Sequence, residues 1–130
     1  MGLPMSQNFP LMKSKEELLA TLDQFTGSQQ AFYHPMFKKF VYTEGVRYLA
    51  QNAECYWLLE HIFLHQTNPK IKAEGFQTWK LVKQEDTATI TIDDGNGNII
   101  ETFPIDFTDF PLDEIILFMI GDTLLLPSEY

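Results

Sequence analysis

The sequence predicts an α+β fold, with N-terminal helices packed on a C-terminal antiparallel β-meander of about four to five strands. Three observations carry that reading. Up to His65 the apolar residues recur at helical spacing, and after Pro69 they alternate with a period of two. Helix caps and stops punctuate the first half, whereas hairpin-type turn residues punctuate the second. The length of 130 residues suits one globular domain over 1–130, with residues 1–13 read as a loose N-terminal tail.

Ser14 and Glu17 stand at capping-box spacing, where the hydroxyl caps one orphan N–H and the carboxylate reaches back to another. Leu18, Leu22 and Phe25 follow on one face with Leu19 beside them, and Gly27 supplies a left-handed stop. Ser28 to Thr43 is rich in aromatics and carries His34-Pro35, where proline pushes its neighbour into an extended conformation. It reads as an ordered connection with a short strand at Phe40 to Tyr42. Thr43 then N-caps a second helical region with Val46, Leu49, Ala50 and Ala53 on one stripe. From Cys55 to His65, eight of eleven residues are apolar or aromatic. A helix of that kind packs on several sides, so it is expected at the centre of the core, with Trp57 and Leu59 buried and a break near Asn52.

Trp79 and Leu81 mark the first strand of the second half, and Gln84 to Asp86 turn it. Ala88, Ile90 and Ile92 alternate with Thr87, Thr89, Thr91 and Asp93, which describes a strand with one buried face. Asp94 to Gly97 turns that strand forward into Ile99 to Phe107, since Gly and Asn tolerate positive φ. Residues 111–126 support two readings. Pro111 with Asp113 and Glu114 resembles a helix start that Gly121 would end. The isoleucines between Ile115 and Ile120, and Gly121-Asp122 between two apolar runs, favour two strands joined by a hairpin turn.

Charge is distributed unevenly. Nine Lys and Arg face 18 Asp and Glu, for a formal charge of −9. From Gln84 to Tyr130 there is no Lys, Arg or His but eleven acids. This opposes nucleic-acid binding and leaves room for a cationic partner or a divalent ion. Many of those acids stand at turns, where Asp caps its own backbone. The eleven Phe call for a ring-rich core or an aromatic binding patch. Cys55 is the only cysteine, so no intrachain disulfide forms, and a lone thiol suits a reducing compartment. The longest apolar run, Ile115 to Ile120, falls far short of the roughly 20 residues of a membrane span. The first twelve residues lack the basic start and apolar stretch of a signal peptide.

Four constellations could carry chemistry. Asp94 to Ile99 resembles the middle of a calcium loop, but the anchoring positions fall on Ile92 and Phe103, which offer no oxygen. His61 and His65 stand at i and i+4, as two zinc ligands would, yet Ile62 occupies the place of the catalytic glutamate and no further ligand is at hand. No cofactor or metal is therefore expected. Tyr33, His34 and Arg47 form the best catalytic candidates, with His34 as a general base and Arg47 holding an anion. Cys55, inside a packed helix, reads as an inert apolar residue. Asp93, Glu101 and Asp106 are the candidate binding residues of an acidic β-face. Phosphate-binding loops, dinucleotide fingerprints and nucleophile elbows are absent.

The stretch Phe32-Tyr-His-Pro-Met-Phe-Lys-Lys-Phe-Val-Tyr-Thr-Glu-Gly-Val-Arg-Tyr-Leu-Ala50 resembles an uncharacterised bacterial family. So do Tyr56-Trp-Leu-Leu59 and the terminal Leu124-Leu-Leu-Pro-Ser-Glu-Tyr130. That family is a domain of unknown function found as short stand-alone proteins. The likeness runs from about Lys15 to the C-terminus and implies a cytoplasmic bacterial protein. It carries over no activity, cofactor or catalytic residue.

The leading functional expectation is a small non-enzymatic interaction or regulatory module with an acidic β-face. Its partner would be a protein of basic character or a second copy of the chain, and neither nucleic acid nor membrane. The alternatives are a small enzyme or ligand-binding protein using the Tyr33, His34 and Arg47 region, and an acidic mimic of DNA.

Overall fold

Seven strands form one sheet, and the helices that precede its long strands pack on it. The computed structural model describes residues 14–27 and 30–130. The tail expected over residues 1–13 lies outside them. Helix α1 (Lys15–Leu22) starts with the predicted capping box: Ser14 Oγ accepts from the Glu17 N–H, and Glu17 Oε1 accepts from the Ser14 N–H, each at 3.2 Å. The helix buries Leu18 and Leu22 and stops there, short of Phe25. Thr43 caps α2 (Glu44–Asn52) by accepting from the Val46 N–H. The predicted break follows at once, with Glu54 at φ 51° turning the chain into α3 (Tyr56–Leu64). A 3₁₀ turn (His65–Thr67) leads to the short α4 (Pro69–Lys72), which has Asn68 as cap and proline in its first turn.

The strands are β1 (Ala31–Tyr33), β2 (Val41–Thr43), β3 (Phe76–Gln84), β4 (Thr87–Asp93), β5 (Ile99–Ile105), β6 (Glu114–Ile120) and β7 (Thr123–Leu125). Their order in space is β1-β2-β7-β6-β3-β4-β5. The α+β class stands, but two details of the expectation are corrected. Among the described residues the sheet has seven strands rather than four to five, and it is mixed, because β2 pairs with β7 in parallel. It is not a simple meander either: β6 returns across the sheet to pair with β3. The aromatic connection supplies β2, one residue on from the short strand expected at Phe40 to Tyr42, and also the unforeseen β1, since a three-residue strand is too short to display a period. The run Ile115 to Ile120 lies within β6, and Gly121-Asp122 turns it into β7.

Alternation places Gln77, Trp79 and Leu81 of β3, Ala88, Ile90 and Ile92 of β4, and Leu117 and Met119 of β6 on one face. There they join Leu18, Val46, Leu49, Leu59, Ile62 and Phe63 of the helices in one buried core. Leu59 is fully buried, whereas Trp57 is only partly so, because it leans over the edge of the layer beside Ile105 and Phe107. A polar bolt crosses the core. Gln66 and Gln77 exchange amide hydrogen bonds at 2.8 and 2.9 Å, and Gln77 also donates to the Ile71 carbonyl. Trp79 Nε1–H donates to Gln77 Oε1. Every buried polar atom of that group is thereby paired, as burial demands.

Candidate functional site

His34 follows β1 and is buried against Phe37 and Phe63. Its Nδ1 accepts from the Met36 and Phe37 N–H groups at 3.0 and 3.2 Å, so the ring closes the turn that Pro35 begins. With Nδ1 accepting, Nε2 carries the proton and donates to Glu60 Oε2 at 3.2 Å. Both nitrogens are engaged in holding the turn to α3. Tyr33, one residue earlier on the strand, points to the opposite face and is exposed. The Arg47 guanidinium lies 4.4 Å over the Phe32 ring, in a cleft of about 200 Å³ whose walls include Phe25, Glu44 and Tyr48. Neither Tyr33 nor His34 lines that cleft. The three sequence candidates thus occupy three separate environments. Cys55 is buried, and burial pushes its thiol up to about 12, so it stays a neutral thiol at neutral pH.

His61 and His65 do share one face of α3 and its continuation, with ring centroids 4.3 Å apart. His65 Nδ1–H donates to the His61 carbonyl at 2.8 Å. The His61 ring is wedged edge-on against Trp79 and Phe103, and its Nε2 is buried without a hydrogen-bond partner. Burial, reinforced by the neighbouring His65, lowers His61 to about 4. Among the described residues no group of three or more His, Cys, Asp or Glu gathers around a common point.

The acids divide between the two faces of the sheet and its turns. Glu101 pairs opposite Ile92 on the helix face and meets Lys70 at 3.5 Å. Asp93, the next residue after Ile92, therefore belongs to the other face, and its carboxylate accepts from the Gly95 N–H at 2.7 Å. Asp106 is exposed beyond the end of β5. Asp94 binds its own turn through the Asn98 side chain and the Asn96 N–H, which hold its carboxyl below the usual carboxylate range. Gly95 and Gly97 of that turn sit at φ 87° and 89°, as a tight β4–β5 connection requires. Lysines elsewhere answer other acids: Lys15 meets Asp113, Lys72 meets Asp122 and Lys80 meets Glu114. These pairs are exposed and each is worth about 0–1 kcal/mol.

Glu129 has a structural role instead. Its carboxylate accepts from Thr43 Oγ1 at 2.6 Å and from the Gly45 N–H at 3.2 Å, which ties the C-terminal turn to the start of α2. A Cβ at Gly45 would lie 2.6 Å from Leu126 Cδ1 and 2.8 Å from the Glu129 carboxylate, so a larger residue there would have to displace both side chains.

The remaining concentration of exposed chemistry is apolar. The described helices and the core occupy one face of the sheet, and the other face carries Phe76, Phe118 and Tyr130 in mutual ring contact, with centroids 4.9 to 5.7 Å apart. Ile116, Ile120 and Leu125 extend this cluster along β6 and β7, all partly exposed. Tyr130 itself is 77% exposed. A signal for this face was present in the sequence. A strand covered on one side that reads as an unbroken apolar run, Ile115 to Ile120, necessarily directs apolar residues to its uncovered side.

No helix among the described residues is long and apolar enough to cross a membrane. The chain is similar in structure to a protein of unknown function from Enterococcus faecalis, known from a crystal structure, with a TM-score of 0.49. The identity is 18%, and the likeness covers 68% of this chain and 87% of that one. No curated protein matches the sequence. A family model described as a family of unknown function matches residues 16–130, which span every described helix and strand except the first residue of α1. Two of the sequence segments that carry the resemblance, around Thr43 to Gly45 and at the C-terminus, meet in the Glu129 contact. The chain belongs to the family of unknown function DUF6876.

Proposed function

We propose that this protein is a non-enzymatic interaction module whose contact surface is the helix-free face of the sheet. The observation that carries the reading is the aromatic cluster of Phe76, Phe118 and Tyr130, continued by Ile116 and Ile120, on a face that no helix among the described residues covers. An antiparallel sheet that faces water normally does so with polar residues, and a contiguous apolar patch marks an interaction site. Aromatic residues are also the side chains most enriched at the centres of protein contacts. The disposition of the polar candidates supports a module over an enzyme: His34 spends both ring nitrogens on its own turn, and Tyr33 and Arg47 lie elsewhere. Asp93 lies on the same face as the aromatic cluster and Asp106 beyond a sheet end, so the acids supply the polar surroundings of the contact rather than its centre.

The test is site-specific photocrosslinking in the cells that make the protein. A photoreactive phenylalanine analogue at Phe118 should give a discrete protein adduct, and the same analogue at the exposed Asp106 should not. Equal, diffuse labelling from both positions would refute the reading.

A further inference from the structure

We infer that the occupant of the helix-free face is a second copy of this chain, so that two sheets pack face to face about a two-fold axis. This rests on the reading of that face as a contact surface and names its partner.

Charge favours a self-contact. The chain carries −9, so a partner chosen by charge would be basic and would meet an acidic face. The open face offers no such excess where it is most apolar. Its charged side chains there are Lys80 and Glu114, which answer each other at 4.0 Å from neighbouring strands. A patch holding one cation and one anion is self-complementary under a two-fold operation, because each can face its opposite on the other copy. Apart from Asp93 at the end of β4, whose carboxylate is turned to the Gly95 N–H, the surplus acids lie in turns, beyond sheet ends or on the helix side, away from the apolar centre of the contact.

Size favours it as well. At ~3.3 Å per residue and ~4.8 Å between strands, the residues of seven strands tile on the order of 600 Å² of flat sheet. A standard stable interface takes ~800 Å² per partner, so this face is of the right order for one. The distribution of residues also follows that of an interface. The Phe76, Phe118 and Ile116 region forms an apolar centre, and Thr89, Thr91 and Thr102 on β4 and β5 make a polar margin on the same face. Two such sheets can interdigitate at ~10 Å with their strands turned by about 30°.

Sedimentation equilibrium on the purified full chain, across low to high micromolar concentration, tests the proposal. The wild type should fit twice the chain mass. Phe118→Asp and, independently, Ile116→Lys should weaken the dimer by about 100-fold or more while keeping the far-ultraviolet spectrum of the folded chain. Should either variant fail to fold, the photoreactive analogue at Phe118 in the otherwise native purified chain replaces it, and an adduct of twice the chain mass is expected. A wild type that stays monomeric throughout, or a dimer that both variants leave intact, overturns the inference. A monomeric wild type whose Phe118 analogue still captures one different protein in cells removes the second copy and leaves the module reading standing.

Discussion

Lowering the pH from 7 to 4.5 should weaken this fold by about 2 kcal/mol through one imidazole, that of His61. The folded environment holds the ring near 4, against an ordinary value of 6.5. Burial against Trp79 and Phe103 disfavours the cation, and His65 adds like-charge repulsion. In the unfolded chain the ring regains its ordinary affinity for a proton. Between the two values the unfolded state binds a proton that the native ring refuses. The stability is therefore intact above about 6.5, is lost as the pH falls through the window, and levels off below about 4. The whole gap corresponds to roughly 3.5 kcal/mol at ~1.4 kcal/mol per pH unit, of which about 2.4 is realised between pH 7 and 4.5. Partial exposure of the ring screens it, which brings the expectation to about 2. Urea denaturation of the wild type and of His61→Leu at pH 7, 6, 5 and 4.5 isolates the ring, since the carboxylates titrate alike in both. The wild type should lose about 2 kcal/mol more than the variant over that range. Parallel curves for the two proteins would falsify the account of a desolvated His61.

Three further outcomes follow from the packing. Gly45→Ala should force Leu126 and Glu129 away from α2 and cost about 1–3 kcal/mol, read as a lower melting temperature; an unchanged one would mean the C-terminal turn yields freely. Leu59→Ala, at a fully buried position of α3, should cost about 2–5 kcal/mol in urea, and a cost under 1 would place the core elsewhere. The combined change of Asp93 and Asp106 to Asn with Glu101 to Gln should leave thermal stability within about 1 kcal/mol, because the pairing of Glu101 with Lys70 is exposed and like charges are removed. A large loss there would show that these acids hold the fold together.

The parts of the fold legible in the sequence were those written locally. Ser14 with Glu17, Thr43 at the start of α2 and the alternation from Thr87 to Asp93 each act within a few residues, and the structure places each as read. What escaped was non-local. Nothing between Ala31 and Thr43 announces that Val41 will lie beside Thr123 in parallel, because that pairing joins chain segments some eighty positions apart. The return of β6 to β3 is of the same kind: turn chemistry identifies a hairpin, and the stretch between Ile105 and Glu114 is too long to be one. The site candidates failed to converge for a related reason. Phe32, Tyr33 and His34 are consecutive, yet strand alternation and the turn at Pro35 send them to Arg47, to solvent and to Glu60 respectively. Proximity in sequence is poor evidence of a common pocket when the segment is extended.

The charge asymmetry and the apolar run make an instructive contrast. A count of acids along half a chain says little about a surface until the topology is known, because lysines from the other half can be brought to them. Lys15, Lys70 and Lys72, all from the first 75 residues, reach Asp113, Glu101 and Asp122 of the second part, and no composition statistic foretells this. An apolar run inside a strand is different. Alternation is a property of the strand itself, so Ile116, Phe118 and Ile120 must leave the sheet opposite to Leu117 and Met119 whichever strands become neighbours. Once helices are known to supply a single layer on the core side, those residues face outward by necessity. Their exposure opposes the usual economy of a soluble surface, and tight ring contacts with Phe76 and Tyr130 recover only part of it. The remainder would be recovered if another apolar surface covered the sheet, which is why the proposed contact is placed on this face and not among the charged turns.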